Sequence, residues 1–137
     1  MALMRDFYAQ QQMHFDEAAA RTALEGLAGD PRWGAGWLLT AEEQVAGYLI
    51  LTVGYSLEFG GRFGLLDEFY VVEAHRGRGV GSTALAFVEE QCRARGLKAL
   101  RLEVGTENRR AMELYRRSGF AVHERFLMTR WLDPPQL

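Results

Sequence analysis

The chain has 137 residues, 48% hydrophobic and 25% charged, the make-up of one folded domain with a single core rather than of a disordered or fibrous chain. Its net charge is −2; no apolar run reaches the roughly eighteen residues of a membrane helix, and no basic-then-apolar leader opens it, so neither a span nor a secretory signal is expected. One cysteine, Cys92, excludes an internal disulfide and fits a reducing, cytoplasmic setting.

In chain order, Leu3 to Gln11 reads as a short helix. Asp16 caps a second, with Glu17 in its first turn, a stripe of Ala20, Ala23, Leu24 and Leu27, and a stop at Gly29-Asp30-Pro31. Gly36 to Thr40 and Val45 to Ser56 form strands joined by the Ala41–Gln44 turn, with Gly54 read as a bulge. The apolar strand Phe63 to Val72 follows the Phe59–Arg62 loop. The period then changes from two to 3.6: from Gly79 to Arg95, Val80, Ala84, Phe87, Val88 and Cys92 share a face, and Gly96 ends the helix. On that stripe Cys92 is a packed thiol. Lys98 to Val104 is a strand and Asn108 to Arg117 a helix closed by Ser118-Gly119. Phe120 to Val122 and Phe126 to Leu132 are read as final strands, and Pro134-Pro135 as the end of the fold. Residues 63 to 104 therefore form a strand–helix–strand crossover with a parallel pair. Hairpins precede it, so the fold class is α/β with a mixed central sheet and helices on both faces.

Charge is unevenly placed. Residues 1–75 hold four Arg/Lys against eleven Asp/Glu, and residues 76–137 hold twelve against seven. Solvated surfaces vary in sign, but the same split suits a protein holding a polyanion with its C-terminal half and a cation with its N-terminal half. The basic half alone would also suit nucleic acid, but the acidic net charge and the absence of a groove-reading motif argue against that partner.

The segment Arg76-Gly77-Arg78-Gly79-Val80-Gly81 lies between the apolar strand and the amphipathic helix. A helix start after a strand gathers free N–H groups and the positive end of the helix dipole, which suits a phosphate. Glycines let the backbone approach a ligand, and the two arginines offer forked donors. The same glycines also suit a merely flexible turn. The segment lacks the Gly-Lys-Ser/Thr ending of a Walker loop, and residue 82 is Ser82 where a dinucleotide fingerprint needs glycine.

What remains is Arg-x-x-Gly-x-Gly. With Phe69-Tyr70-Val71 before it and Asn108-Arg109-Arg110-Ala111-Met112-Glu113-Leu114-Tyr115-Arg116-Arg117-Ser118-Gly119-Phe120 after it, the chain resembles the GCN5-related N-acetyltransferase (GNAT) superfamily over about residues 45 to 131. Within it the stretch is similar to the diamine acetyltransferase branch. The resemblance implies acetyl-CoA as co-substrate and a small-molecule or peptide amine as acceptor, with no metal, nucleic-acid or membrane partner. Its pantetheine arm would lie along the main chain of Phe69, Tyr70 and Val71, with the Val71 N–H facing the thioester oxygen. The pyrophosphate would sit on the turn of Gly77, Arg78, Gly79, Val80, Gly81 and Ser82, beside Arg76. Asn108, with Arg110 and Ala111, would reach the cofactor from the other wall.

The resemblance also places Tyr115 at the general-acid position, although a tyrosine on a helical stripe is commonly a core residue. Asp67 and Glu68 are candidates for the base or for holding a cationic amine, and Glu103 on the next strand is a further one. Consecutive strand residues face opposite ways, so only one of Asp67 and Glu68 can enter a given cleft. His14, His75 and His123 lack metal-ligand spacing and read as surface or turn residues; Trp33, Trp37 and Trp131 read as packing residues. Family members usually open with a strand, which is missing here. Its absence leaves a sheet edge for a second chain and predicts a homodimer. A catalytically silent acetyl-CoA-binding module is the competing reading.

Overall fold

The computed structural model describes residues 1–133. Nine elements follow in chain order: α1 (Ala2–Gln10), α2 (Glu17–Gly29), β1 (Gly34–Ala41), β2 (Gln44–Ser56), β3 (Gly61–Val71), a 3₁₀ turn (Glu73–His75), α3 (Val80–Ala94), β4 (Leu100–Leu102) and α4 (Arg109–Arg117). The strands form one mixed sheet in the order β1-β2-β3-β4, antiparallel except for the parallel β3–β4 pair. No strand precedes α1 among the described residues.

Local chemistry sets most boundaries. The Asp16 carboxylate accepts from the Ala19 N–H at 3.1 Å and so caps α2. The β1–β2 hairpin turns through Glu42 and Glu43, both at positive φ, the twist that a two-residue hairpin needs. Asn108 caps α4 by accepting from the Ala111 N–H at 3.2 Å.

Two cores lie on opposite faces of the sheet, as strand alternation requires. Leu49, Leu51 and Leu66 meet Ala84, Leu85, Val88 and Cys92 of α3, with Leu114 and Tyr115 of α4 at the margin. Tyr48, Ile50 and Tyr70 face the other way and are covered by Met4 and Phe7 of α1 and by Leu24 and Leu27 of α2. Helices thus cover both faces. Cys92 is a buried thiol whose pKa burial raises, consistent with packing.

Several expectations need correction. The register shift in β2–β3 lies between Ile50 and Leu51, opposite Asp67, and not at Gly54. Gly54 instead makes room for a ring, since a Cβ there would lie 2.7 Å from the Phe63 Cε1. The strand read over Lys98–Val104 is only three residues long, because β3 and β4 part beyond Leu66 and Leu102. The strands read at 120–122 and 126–132 do not form, because no strand edge among the described residues pairs with them; Phe120 packs on Tyr115 instead, and the apolar side chains of 126–132 stay exposed. Trp33 and Trp131 are exposed rather than packed, whereas Trp37 is half-buried against the Phe87 ring. His75 is buried rather than on the surface. Pro134-Pro135 lies outside the described residues.

Candidate active site

Ladder pairing between β3 and β4 covers only Gly64–Leu66 against Leu100–Leu102. Beyond it β3 runs on to Val71 with no strand beside it on that side among the described residues, opening a cleft of about 780 Å³ between β3, the start of α3, α4 and the end of α1. The Val72 N–H bonds to the Ala46 carbonyl of β2 at 2.7 Å. Main-chain groups alternate sides along a strand, so those of Val71 and Phe69 face the open side. The Val71 carbonyl accepts from Arg76 Nε at 2.8 Å, which leaves the Val71 N–H as that residue's main-chain group toward the cleft.

The glycine turn closes one end. Gly77 and Gly79 have φ of 74° and 82°, left-handed values that favour glycine, and Gly79 is the N-cap of α3. The Thr83 N–H is the first of α3 to find an intrahelical carbonyl, that of Gly79, so the preceding N–H groups of the first turn remain free. Gly81 serves packing: a Cβ there would lie 3.0 Å from Leu114 Cδ2, so the third glycine lets α3 approach α4. Arg110 Nη2 would lie 3.3 Å from a Cβ on Gly77, so this guanidinium overhangs the turn.

Gly77, Gly79, Gly81, Ser82, Asn108, Arg110 and Ala111 line the cleft with Phe69, Tyr70, Val71 and Arg76. Arg78 and Val80 point to a shallower groove between β1 and α3 beside Trp37 and Phe87, and Arg78 lies 3.5 Å from Glu42. Arg76 is engaged by the protein itself. Its Nη2 donates to Gln10 Oε1 at 2.8 Å, and its guanidinium lies 5.6 Å from the centre of the Tyr70 ring.

Asp67 and Glu68 face opposite ways. Asp67 is the extra residue of the β3 bulge and enters the cleft with Glu103 and Tyr115. It is open to the cleft, but the flanking walls remove part of its water and raise its pKa above the ordinary 3.8. Tyr115 is half-buried between the Phe69 and Phe120 rings, and desolvation pushes its pKa up to about 12. Its phenol therefore stays protonated through the neutral range.

Glu68 is buried on the α1 face, where it accepts from Tyr8 at 2.5 Å and from Tyr48 at 2.8 Å. Burial and the hydrogen bonds to Glu68 raise the pKa of both phenols. This cluster fastens the C-terminal part of α1 to the sheet, and Gln10 with the following Gln11 forms a lip of the cleft. Sequence reading missed Tyr8, Tyr48 and this lip, because contacts across sixty residues leave no local pattern. Tyr48→Phe leaves a buried carboxylate oxygen without its donor and should cost roughly 1–3 kcal/mol. Urea unfolding checks this; an unchanged midpoint removes the clamp.

Acidic Glu103, Glu107 and Glu113 share the cleft with basic Arg110 and Arg117, so it offers both signs of charge. Among the described residues, no group of three His, Cys, Asp or Glu side chains could hold a metal ion.

Comparison with known proteins places this arrangement. The chain is 39% identical over 75 residues to a thialysine N-epsilon-acetyltransferase of Bos taurus, a match covering 55% of this chain and 44% of that protein. It thus spans less than half the length of that curated relative. The crystal structure of integron cassette protein HFX_CASS3, from the mobile metagenome of Cole Harbour Salt Marsh, superposes with a TM-score of 0.85 at 35% identity. That match covers 98% of this chain and 83% of the other. The aminoglycoside N-acetyltransferase AAC(6')-Iy in complex with CoA shares the fold, with a TM-score of 0.80 at 17% identity, covering 96% and 85% of the two chains. The family model described as Acetyltransferase (GNAT) family matches residues 2–120, from α1 through the glycine turn to the end of α4, and the chain belongs to that family.

Proposed function

We propose that this protein is a single-domain, acetyl-CoA-dependent N-acetyltransferase that transfers an acetyl group to a primary amine by direct attack. The observation that carries the reading is the parting of β3 from β4, with the glycine turn at one end of the gap and Asp67 and Tyr115 inside it. The residues fit the co-substrate. The free main-chain edge at Phe69 and Val71 suits an amide-bearing pantetheine arm, and the N–H groups at the start of α3, with Arg110 above them, suit a pyrophosphate. When bound, acetyl-CoA supplies the activated acetyl group.

The protein's own residues do the rest. The Val71 N–H donates to the oxygen that gains charge as the amine adds. Asp67, directly or through one water, takes the proton that the amine loses, and its raised pKa brings it nearer the range in which a base is useful. Tyr115 donates its proton to the sulfur as the C–S bond breaks. Glu68 positions α1 rather than touching the acceptor, and Asp67 and Glu103 supply the negative charge that attracts a cationic amine. The thialysine relative supports an amine carried on a flexible side chain, near the diamine branch. We place the protein in the cytoplasm, with neither nucleic acid nor membrane as partner, as a homodimer joined at an uncovered sheet edge.

A thiol-release assay over polyamines, amino acids, peptides and aminoglycosides tests the activity. Release with a cationic amine is expected. Tight acetyl-CoA binding with no release from any of them leaves the protein a binding module. Gly79→Val, which forces a β-branched residue to a φ of 82° at the α3 N-cap, should weaken acetyl-CoA binding at least tenfold by calorimetry. Wild-type affinity in that variant places the phosphate elsewhere.

A further inference from the structure

Arg76 opens the glycine turn, but its donors are committed elsewhere. The side chain is half-buried, whereas Arg78 and Arg110 are exposed. Nε donates to the carbonyl of Val71, the last residue of β3, at 2.8 Å. Nη2 donates to Oε1 of Gln10, the last residue of α1, also at 2.8 Å. The guanidinium carbon lies 5.6 Å from the centre of the buried Tyr70 ring, which fixes the plane of the fork. One side chain therefore ties the end of β3 to the end of α1, across 66 residues of sequence.

The consequence of the tie follows from where Val71 stands. On the cleft side it has no strand beside it among the described residues, so its N–H and C=O lack the ladder partners that hold Gly64 to Leu66. The peptide that follows is held from the β2 side, where the Val72 N–H donates to the Ala46 carbonyl at 2.7 Å. Arg76 supplies a donor on the cleft side, so the peptide between Val71 and Val72 is gripped at both its oxygen and its nitrogen. With its carbonyl engaged by a cation, Val71 turns its N–H to the cleft. A free carbonyl at that point would stand close to an oxygen gaining negative charge and repel it. Lysine could not replace the fork, because a single ammonium on a flexible stem does not span Val71 and Gln10 in one fixed geometry.

We propose that Arg76 is a positioning residue and not a pyrophosphate ligand: it aims the Val71 N–H at the reacting oxygen and couples that donor to the α1 lip of the cleft. Its kinetic consequence rests on the acetyltransferase reading, while the tie itself does not. Movement of the lip reaches the Val71 peptide through this one side chain. An acceptor that settles against Gln10 and Gln11 therefore also steadies the group that stabilises the transition state. Capture of the phosphates is left to the N–H groups at the start of α3 and to Arg110, whose guanidinium overhangs Gly77.

Arg76→Met, which keeps the stem and removes every donor, tests this against Arg110→Met. Removing an oxyanion donor outright costs about 10²–10³ in turnover and misdirecting one costs less, so kcat for thiol release should fall by about tenfold or more in Arg76→Met. Its Kd for acetyl-CoA by calorimetry should stay within about threefold of wild type with the same salt dependence, and the amides at the end of α1 should exchange faster. Arg110→Met should do the reverse, raising Kd and flattening the salt dependence with kcat retained. Arg76→Lys should recover only part of kcat. A Kd raised tenfold with a flattened salt dependence in Arg76→Met overturns the proposal and returns Arg76 to the pyrophosphate; unchanged kcat in that variant also overturns it. Should circular dichroism show Arg76→Met unfolded, Arg76→Lys decides: a kcat lowered at least threefold at wild-type Kd upholds the proposal, and wild-type kcat overturns it. A wild type that binds acetyl-CoA but releases thiol with no amine sinks the acetyltransferase reading instead. The salt dependence and the α1 exchange then decide the role of Arg76, and unchanged α1 exchange removes the tie.

Discussion

Replacing Tyr115 with phenylalanine is expected to lower kcat by at least 10²-fold and to leave acetyl-CoA affinity within twofold of wild type. The ring would stay where it is, because Phe69 and Phe120 hold it on two sides and the change removes a single oxygen. What is lost is the proton. A positioned general acid contributes typically 10²–10⁴-fold, and desolvation, by pushing the phenol's pKa up to about 12, keeps it protonated through the neutral range. The loss should therefore be uniform across neutral pH. Stopped-flow or steady-state thiol release, paired with calorimetric binding of acetyl-CoA, reads the two quantities separately. Equal turnover in the two proteins takes Tyr115 out of the acid role and returns it to packing.

Asp67→Asn should reduce kcat/KM for the amine by about 10²-fold near neutral pH and remove a limb of the pH profile. In the wild type the carboxylate is the active form, so the rate should rise with pH through a pKa that desolvation places above 3.8, and the amide has no such step. Stability should move the other way. A carboxyl whose pKa is raised on folding stabilises the fold fully below its unfolded pKa, and that contribution is lost as pH rises through the folded value. The asparagine stays neutral, so it should melt slightly higher than wild type at pH 7 and together with it below about pH 4. Because Asp67 is open to the cleft, the shift in Tm should be small. Unchanged activity with a raised Tm would move the base to Glu103; a lowered Tm would mean that Asp67 is held by contacts the geometry does not show.

Much of this site is legible in the sequence, for local reasons. A strand, a glycine turn and a helix in succession form an anion site from backbone alone, whatever surrounds them, and Gly77 and Gly79 adopt the positive φ that the turn requires. The Asp16 and Asn108 caps are likewise three-residue events. The division of labour between Asp67 and Glu68 is legible only in part. Strand alternation implies that one enters a cleft and the other does not, but a one-residue bulge opposite Ile50 and Leu51 decides which. The fate of Glu68 depends on Tyr8 and Tyr48, which lie sixty and twenty residues away along the chain.

Patterning overreached where a partner was needed. The apolar run at 126–132 is a real strand signal, but a strand exists only where another edge completes its hydrogen bonds, and among the described residues of this chain none does. Arg76 shows the same limit in miniature, since its forked donors suit a phosphate but reach the Val71 carbonyl and Gln10 first. By itself the sequence determined the order of the elements through α4, the glycine turn and the identity of the residues available to the chemistry, because caps, periodicity and positive φ are properties of a few neighbouring residues. The tertiary structure decided which carboxylate enters the cleft, that α1 is fastened to the sheet by Glu68, and which apolar segment is left uncovered. Those outcomes depend on register, burial and long-range pairing, which only the packed chain specifies.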